Sequence, residues 1–378
     1  MTPGRPEDRR EKRATDTNLT DLGWQPFFEQ HFAELCETGD IPARVARQEK
    51  TRYLLYGEAG ELTAEVSGKL RHDAASRADL PVVGDWVVIT PRPNEDTATI
   101  HAVLPRKSSF SRKQAGAITE AQVVAANVDT AFLVSGLDGG RNFNLARIER
   151  YLTLAYESSA NPVIVLNKSD VCDEVERCVQ DVERIALGVP IHPVSALTTD
   201  GLDDLRAYLT VGQTVVFLGS SGVGKSTLIN SLLGDERLAV AAVRKGDHQG
   251  RHTTTWRELI LLPDGGMLID TPGMRELQMW GNEDAMRTGF QDIEALAEGC
   301  RFRDCRHRGE PGCAVKAAVA DGTLDAGRLE SYRKQERELA HLARKQSQKA
   351  RLIEKAKWKQ IGKWIRDFTK HSPKRREE

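Results

Sequence analysis

Three short segments, each set directly after an apolar run, constrain this chain more than its composition does. Asn167-Lys168-Ser169-Asp170 follows Val163-Ile164-Val165-Leu166, and Gly219-Ser220-Ser221-Gly222-Val223-Gly224-Lys225-Ser226 follows Val215-Val216-Phe217-Leu218. Asp270-Thr271-Pro272-Gly273 follows Met267-Leu268-Ile269, and a further run, Ala131-Phe132-Leu133-Val134, stands before all three. Continuous apolar runs separated by helical stretches are the pattern of parallel strands buried on both faces. The chain is therefore expected to hold a doubly wound α/β domain.

The 378 residues, 39% of them hydrophobic, suffice for two or three domains around this one. No apolar run is long enough for a membrane span and the N-terminus has no secretory core, so a cytoplasmic protein without stable membrane association is expected. Residues 1–21 are too polar to order themselves, and Phe27, Phe28, Phe32 and Leu35 mark an amphipathic helix within 22–41. Short β-type runs punctuated by Gly57, Gly60, Gly68 and Gly84 fill 42–106 and predict a small antiparallel barrel of OB type, although strand spacing does not separate OB from SH3-like. A basic linker over 107–119 leads into the nucleotide domain at 120–284. A zinc-binding helical domain at 285–340 and a basic helical tail at 341–378 complete the expected layout.

The segment Gly219 to Ser226 fits a phosphate loop: glycines let successive N–H groups turn toward phosphates, and the helix that begins near Thr227 adds its positive end. Lys225 is expected on the β- and γ-phosphates and Ser226 on Mg²⁺. Asp170 of the Asn167-Lys168-Ser169-Asp170 segment is suited to accept hydrogen bonds from guanine N1–H and its 2-amino group. Adenine offers neither donor, so a buried carboxylate there would reject it. Ser195-Ala196, twenty-five residues beyond Asp170, matches a backbone loop that contacts the base, and the joint occurrence favours GTP and GDP.

Asp270 stands where an acid would hold Mg²⁺ through water, and Gly273 would offer its N–H to the γ-phosphate. Gly250 to Thr255 is the candidate first switch; one of Thr253 to Thr255 is expected on Mg²⁺, and Thr254 is assigned to the site. Met274 follows Gly273 where Ras-like GTPases place a glutamine, so slow intrinsic turnover is expected, with His248 or His252 as candidates for the missing catalytic group. Ras-like proteins run phosphate loop, DxxG, NKxD; here NKxD comes first, so the nucleotide domain reads as a circularly permuted GTPase.

Cys300, Cys305, His307 and Cys313 form C-x4-C-x-H-x5-C, a closed four-ligand set for one structural Zn²⁺. Cys36, Cys172 and Cys178 lie outside it. From His341 to Glu378, thirteen Lys and Arg against four Asp and Glu leave a net +9 that the whole-chain value of -1 conceals. Ile353, Ile361, Trp364, Ile365 and Phe368 give this tail an apolar face, which suits RNA, an acidic membrane surface or a partner protein.

Together, the permuted order, the barrel, GSSGVGKST, GRHTTT, DTPG and the Cys/His cluster resemble the RsgA (YjeQ) family of small-ribosomal-subunit biogenesis GTPases, over about Leu22 to Arg344. The resemblance implies an OB domain, a permuted GTPase domain and a zinc domain, and a late role in maturation of the small subunit, which stimulates hydrolysis. It implies GTP contacts from Asn167 to Asp170 and from Gly219 to Thr227, and zinc on Cys300, Cys305, His307 and Cys313. The partners it implies are the small ribosomal subunit and its rRNA, bound by a monomer; a GTPase acting on a protein or membrane partner through the tail is the alternative. Because the permutation puts Asp270 about thirty residues from Cys300 and the barrel just ahead of Thr130, both flanking modules are expected beside the switches.

Overall fold

A computed structural model describes residues 18–344 except 50, 94, 114–120, 140–141, 235–256, 264 and 271–282. The N-terminal extension up to residue 17 and the tail beyond residue 344 therefore lie outside the described residues. The expected amphipathic helix is α1, Pro26–Leu35, shorter than the 22–41 segment because Pro26 takes the first helical position, where its missing N–H costs nothing. Phe28 and Trp24 pack on Trp86, with ring centroids 5.9 and 4.7 Å away, and so fasten this helix to the barrel.

The barrel has five strands, β1 (Ile41–Gln48), β2 (Tyr53–Gly57), β3 (Gly60–Val66), β4 (Trp86–Pro91) and β5 (Thr97–Val103), with a short helix α2 (Gly68–Asp73) between β3 and β4. Pairing runs β1-β2-β3-β5-β4 and closes through β4 on β1. This is the five-stranded Greek-key arrangement of an OB fold, which settles the question strand spacing left open. One expectation needs correction: β3 pairs with β5 in parallel, so the barrel is not wholly antiparallel. The interior is filled by alternating residues such as Val45, Leu55, Leu62, Ala64, Val87, Ile89 and Ile100.

The stretch expected as a basic linker, 107–119, is in part a strand. β6 (Ser109–Lys113) pairs antiparallel with β7 (Ala121–Ala126), and Phe110 is buried in the main core. Its neighbours Arg112 and Lys113 carry the charge that reads as linker, but one buried aromatic and a partner strand suffice to order the segment.

The nucleotide domain is the expected doubly wound sheet. It holds β8 (Thr130–Gly136), α3 (Leu145–Ser158), β9 (Asn161–Asn167), α4 (Val175–Glu183), β10 (Ile191–Val194), α5 (Leu202–Arg206), β11 (Thr214–Gly219), α6 (Lys225–Leu233), β12 (Glu258–Leu261) and β13 (Met267–Asp270). The order is β10-β9-β8-β11-β13-β12, parallel except for β12, which runs antiparallel to β13. Every residue of β8 and β11 is buried, as their unbroken apolar runs require. β12 also pairs with β1 at Glu258 and Arg47, so barrel and nucleotide sheet are continuous.

The guanidinium of Arg44, 1% exposed, sits at the junction of these parts. It donates to the Leu22 and Asn127 carbonyls, to the Gly84 carbonyl in the barrel, and to Thr214 Oγ1 on β11. Burial lowers its pKa to about 10.

The C-terminal module contains α7 (Glu283–Gly289), α8 (Gln291–Ala297), the Cys/His loop and α9 (Ala314–Ala320), and residues 326–344 are helical. This last helix lies along α3: Arg328 reaches Glu149, Glu338 reaches Arg150, and Gln335 reaches Thr153. The barrel meets β12, the strand paired with β13. Both candidate switches, 250–255 and the stretch after Asp270, lie outside the described residues, and with them the expected place of the flanking modules beside the switches. The C-terminal module, which carries the Cys/His cluster, is seated on α3.

Candidate active site and metal centre

β9, β8 and β11 are neighbouring parallel strands, so the loops at their carboxyl ends converge on one edge of the sheet, the usual ligand crevice of such folds. Gly219 ends β11 so close to β8 that a Cβ there would stand 2.6 Å from the Val134 carbonyl. Beyond it, Gly222 and Gly224 take φ of 82° and 94°, a region open to glycine at little cost. These left-handed residues turn the loop sharply, and α6 begins at Lys225 directly behind it. Lys225 Nζ bridges the loop by donating to the Gly219 and Ser220 carbonyls, both at 2.8 Å.

Asn167 is the residue that joins the parts. Its side chain is 1% exposed; Nδ2 donates to the Val223 carbonyl at 2.8 Å, and Oδ1 accepts from the Ala196 N–H at 3.0 Å. One amide thus ties the phosphate loop to the Ser195-Ala196 loop, and both its donor and its acceptor are satisfied in the core. Ser195 is buried, and its Oγ accepts from the Thr198 N–H at 3.1 Å. Asp170 lies exposed in the short 3-10 turn Ser169–Val171, which directly follows the end of β9.

Lys168, in the left-handed region at φ 68°, folds its Nζ back to the Gly222 carbonyl at 2.7 Å and to Asp138 at 2.6 Å. Asp138 also accepts from Asn142 Nδ2 at 2.7 Å. Burial raises the Asp138 carboxyl, but the bonds from Lys168 and Asn142 outweigh it and hold the group below the ordinary carboxylate range. Sequence reasoning missed Asp138; the only local signal is its place in a glycine-containing loop just after a buried strand.

Ser226 and Thr227 occupy the first turn of α6, and Asp270 ends β13. Burial raises the Asp270 carboxyl, Lys225 opposes this, and Glu258, its cross-strand partner on β12, adds to it. A half-buried acid at a strand end and hydroxyls at a helix start are oxygen ligands of the kind a hard cation takes. Ser221 and Val223 complete the loop, Ser221 exposed and Val223 buried. His248, His252, Thr253 to Thr255, Thr271 to Gly273 and Met274 lie outside the described residues.

The second constellation is assembled as expected. The ligand atoms of Cys300, Cys305, His307 and Cys313 all lie within 4.8 Å of one another. Cys300 Sγ is 3.9 Å from Cys313 Sγ, and His307 Nδ1 is 3.6 and 3.4 Å from those two sulfurs. Tetrahedral zinc with its usual bond lengths requires S···S of about 3.8 Å and S···N of about 3.5 Å, so the cluster fits the ion. Burial lowers the pKa of His307 and favours the neutral ring that a ligand needs.

Glu310, absent from the expected set, shapes the loop. Its carboxylate accepts from the N–H groups of Arg306, Arg308 and Gly309 at 3.1, 2.7 and 2.9 Å, which lowers its pKa to about 2. Cys313 caps α9 by accepting from the Lys316 N–H at 3.4 Å.

A family model described as RsgA GTPase matches residues 103–280, and another, described as 50S ribosome-binding GTPase, matches 214–355. Over 353 residues the chain is 48% identical to a small ribosomal subunit biogenesis GTPase RsgA of Opitutus terrae, covering 91% of this chain and 95% of the relative. The chain belongs to the RsgA family. An RsgA of Syntrophotalea carbinolica is 45% identical over 352 residues, 91% of this chain and 96% of that protein.

Solved structures agree with this RsgA assignment. YjeQ from Thermotoga maritima matches with a TM-score of 0.61 at 30% identity, over 80% of this chain and 99% of that one. YloQ, a circularly permuted GTPase, matches with a TM-score of 0.59 at 25% identity, over 80% and 96%. As an RsgA protein the chain is a GTPase, and the motif order is that of a circular permutation. Guanine nucleotide and Mg²⁺ follow from that activity, and the Cys/His cluster is compatible with zinc. Among the described residues no helix is long and apolar enough to cross a membrane.

Proposed function

We propose that this GTPase acts as a late checkpoint in maturation of the small ribosomal subunit. It binds the subunit and its rRNA in the GTP state, and leaves when the subunit has completed the hydrolytic geometry. The observation that carries this reading is one nucleotide crevice joined to a module on each side. β1 of the barrel pairs with the strand next to Asp270, and the zinc-bearing module sits on α3. Such a molecule senses a large surface at its flanks and reports it at one phosphate site. Relatives of nearly the same length carry the name small ribosomal subunit biogenesis GTPase.

In this reading Asp170 reads guanine, with Lys168 and Ser169 beside it, while Asn167, Ser195 and Ala196 frame the base. The loop from Gly219 to Ser226 and Thr227 hold the phosphates, and Ser226, Thr254 and, through water, Asp270 would hold Mg²⁺. When bound, Mg²⁺ neutralises charge on the β- and γ-phosphate oxygens. Gly273 meets the γ-phosphate, and His248 or His252 supplies the catalytic group that Met274 cannot. Cys300, Cys305, His307 and Cys313 hold zinc and keep the C-terminal module shaped for docking. The protein works as a cytoplasmic monomer.

GTP turnover measured alone, with purified small subunits and with purified large subunits tests the proposal. Small subunits are expected to raise turnover at least roughly tenfold, since completing a phosphoryl-transfer site in trans is worth far more than that. Absence of any stimulation would sink the checkpoint, and equal stimulation by large subunits would favour the large-subunit description instead.

A further inference from the structure

The loop after β8 and the loop after β11 lie side by side, because those strands are adjacent and parallel. Ser135 Oγ donates to the Asn142 carbonyl at 2.9 Å and Asn144 caps α3 by accepting from the Arg147 N–H at 2.9 Å, so the start of α3 is fixed to the end of β8, the strand beside β11. From that turn Arg147 Nη1 donates to Ser220 Oγ at 3.0 Å. Two to six residues further along the same helix, Glu149, Arg150 and Thr153 take the C-terminal helix. Arg328 donates to Glu149 at 2.7 Å, Arg150 donates to Glu338 at 2.8 Å, and Thr153 Oγ1 donates to Gln335 at 2.9 Å. α3 thus has its first turn on the phosphates' loop and its middle under the zinc-bearing module.

We propose that Arg147 is a positioning residue for the phosphate loop: by holding Ser220 it keeps the loop in its nucleotide-ready curl, and it carries the seating of the C-terminal module on α3 to the phosphates. The loop already holds Gly222 and Gly224 in left-handed conformations, and restraint of Ser220 lowers the ordering cost that a nucleotide would otherwise meet. α3 is rigid over the distance involved, since it is a regular 14-residue helix with buried residues in every turn. A shift of the module therefore moves Arg147 rather than bending the helix. The inference rests on the nucleotide assignment of the Gly219–Ser226 loop and is independent of the ribosomal proposal.

The test is GDP affinity of the full-length, zinc-loaded protein, measured with a fluorescent GDP, for the wild type, Arg147→Ala, Arg147→Lys, Ser220→Ala and the Arg147→Ala/Ser220→Ala double variant. One charge-assisted hydrogen bond predicts a 5–10-fold weakening, roughly, in Arg147→Ala. Arg147→Lys should recover most of it, and the double variant should be no weaker than the weaker single one. Arg150→Gln, whose residue is partly exposed, then loosens the module's seat, with Arg328→Lys as a second loosening variant. Either should weaken GDP binding about 2–3-fold in the wild-type background and not in the Arg147→Ala background. Unchanged affinity in Arg147→Ala overturns the positioning role, and equal weakening by the seat variants in both backgrounds overturns the link. No GDP binding by the wild type would overturn the nucleotide assignment itself, a separate result.

Discussion

The seat between α3 and the C-terminal module should depend on one buried cation, and Arg328→Met tests this with a pH signature. The Arg328 side chain is 4% exposed, and that of Glu149 is 3% exposed. Arg328 Nη1 meets Glu149 at 2.7 Å, Nη2 and Nε meet the Asp292 carboxylate at 2.7 and 2.8 Å, and Nη2 also donates to the Gly289 carbonyl at 3.0 Å. The guanidinium stands 4.5 Å from the Phe290 ring centroid. Methionine keeps much of the length and packing, so the loss isolates the charge. Removing one partner from a buried ion pair costs about 3–5 kcal/mol, because the charge left behind has neither water nor a counter-ion.

Burial already raises the Glu149 carboxyl above its ordinary range, with Ser331 and Arg328 pulling it partly back. Without Arg328 it rises further. A carboxyl whose folded pKa lies above its unfolded value destabilises the fold fully above the folded pKa, and not at all below the unfolded one, about 4.3. The deficit of Arg328→Met should therefore be largest at pH 8 and shrink as pH falls toward 5. Urea unfolding of both proteins at pH 8, 7, 6 and 5 measures the gap. A gap constant across that range, or one below about 1 kcal/mol at pH 8, would refute the reasoning.

Gly224→Ala should cost at least roughly 100-fold in guanine-nucleotide affinity with little change in secondary structure. Its φ of 94° strains any side chain, and the new Cβ would displace the Asn167 amide that joins two loops; titration with fluorescent GDP alongside circular dichroism checks this, and near-normal affinity would contradict it. Cys313→Ser should drop bound zinc from about one ion per chain to near zero after dialysis against a chelator. It should also loosen α9, because serine keeps the N-cap bond but loses the metal that would tether the helix start; metal analysis and hydrogen exchange of α9 decide, and full retention of zinc would remove Cys313 from the ligand set.

Much of the nucleotide domain is legible in the chain because parallel strands buried on both faces leave unbroken apolar runs, and β8, β9, β11 and β13 all do. The barrel is legible only as a set of short strands. Its closure and the parallel β3–β5 pair depend on partners more than thirty residues apart, and no local pattern records them. β6 escaped because Arg112 and Lys113 mask a single buried Phe110. Asp138 and Glu310 escaped for another reason: a carboxylate in a loop looks solvated until its partners, Lys168 in one case and three backbone N–H groups in the other, are placed.

Chemistry carried by contiguous residues was determined by the sequence alone. The phosphate loop, the segment proposed to read guanine and the Cys/His cluster each lie within a short stretch, so local backbone geometry brings their atoms together. The permuted order was equally plain, since it is a fact of sequence. Tertiary structure alone decided how these parts are tied. Asn167 reaches Val223 across 56 residues, Arg147 reaches Ser220 across 73, and Arg328 reaches Glu149 across 179. Such contacts form because buried donors and charges must find partners wherever the packed elements put them. The seat of the C-terminal module on α3 was likewise left to the tertiary structure, because buried charges and apolar faces, not proximity along the chain, select the surface a module covers.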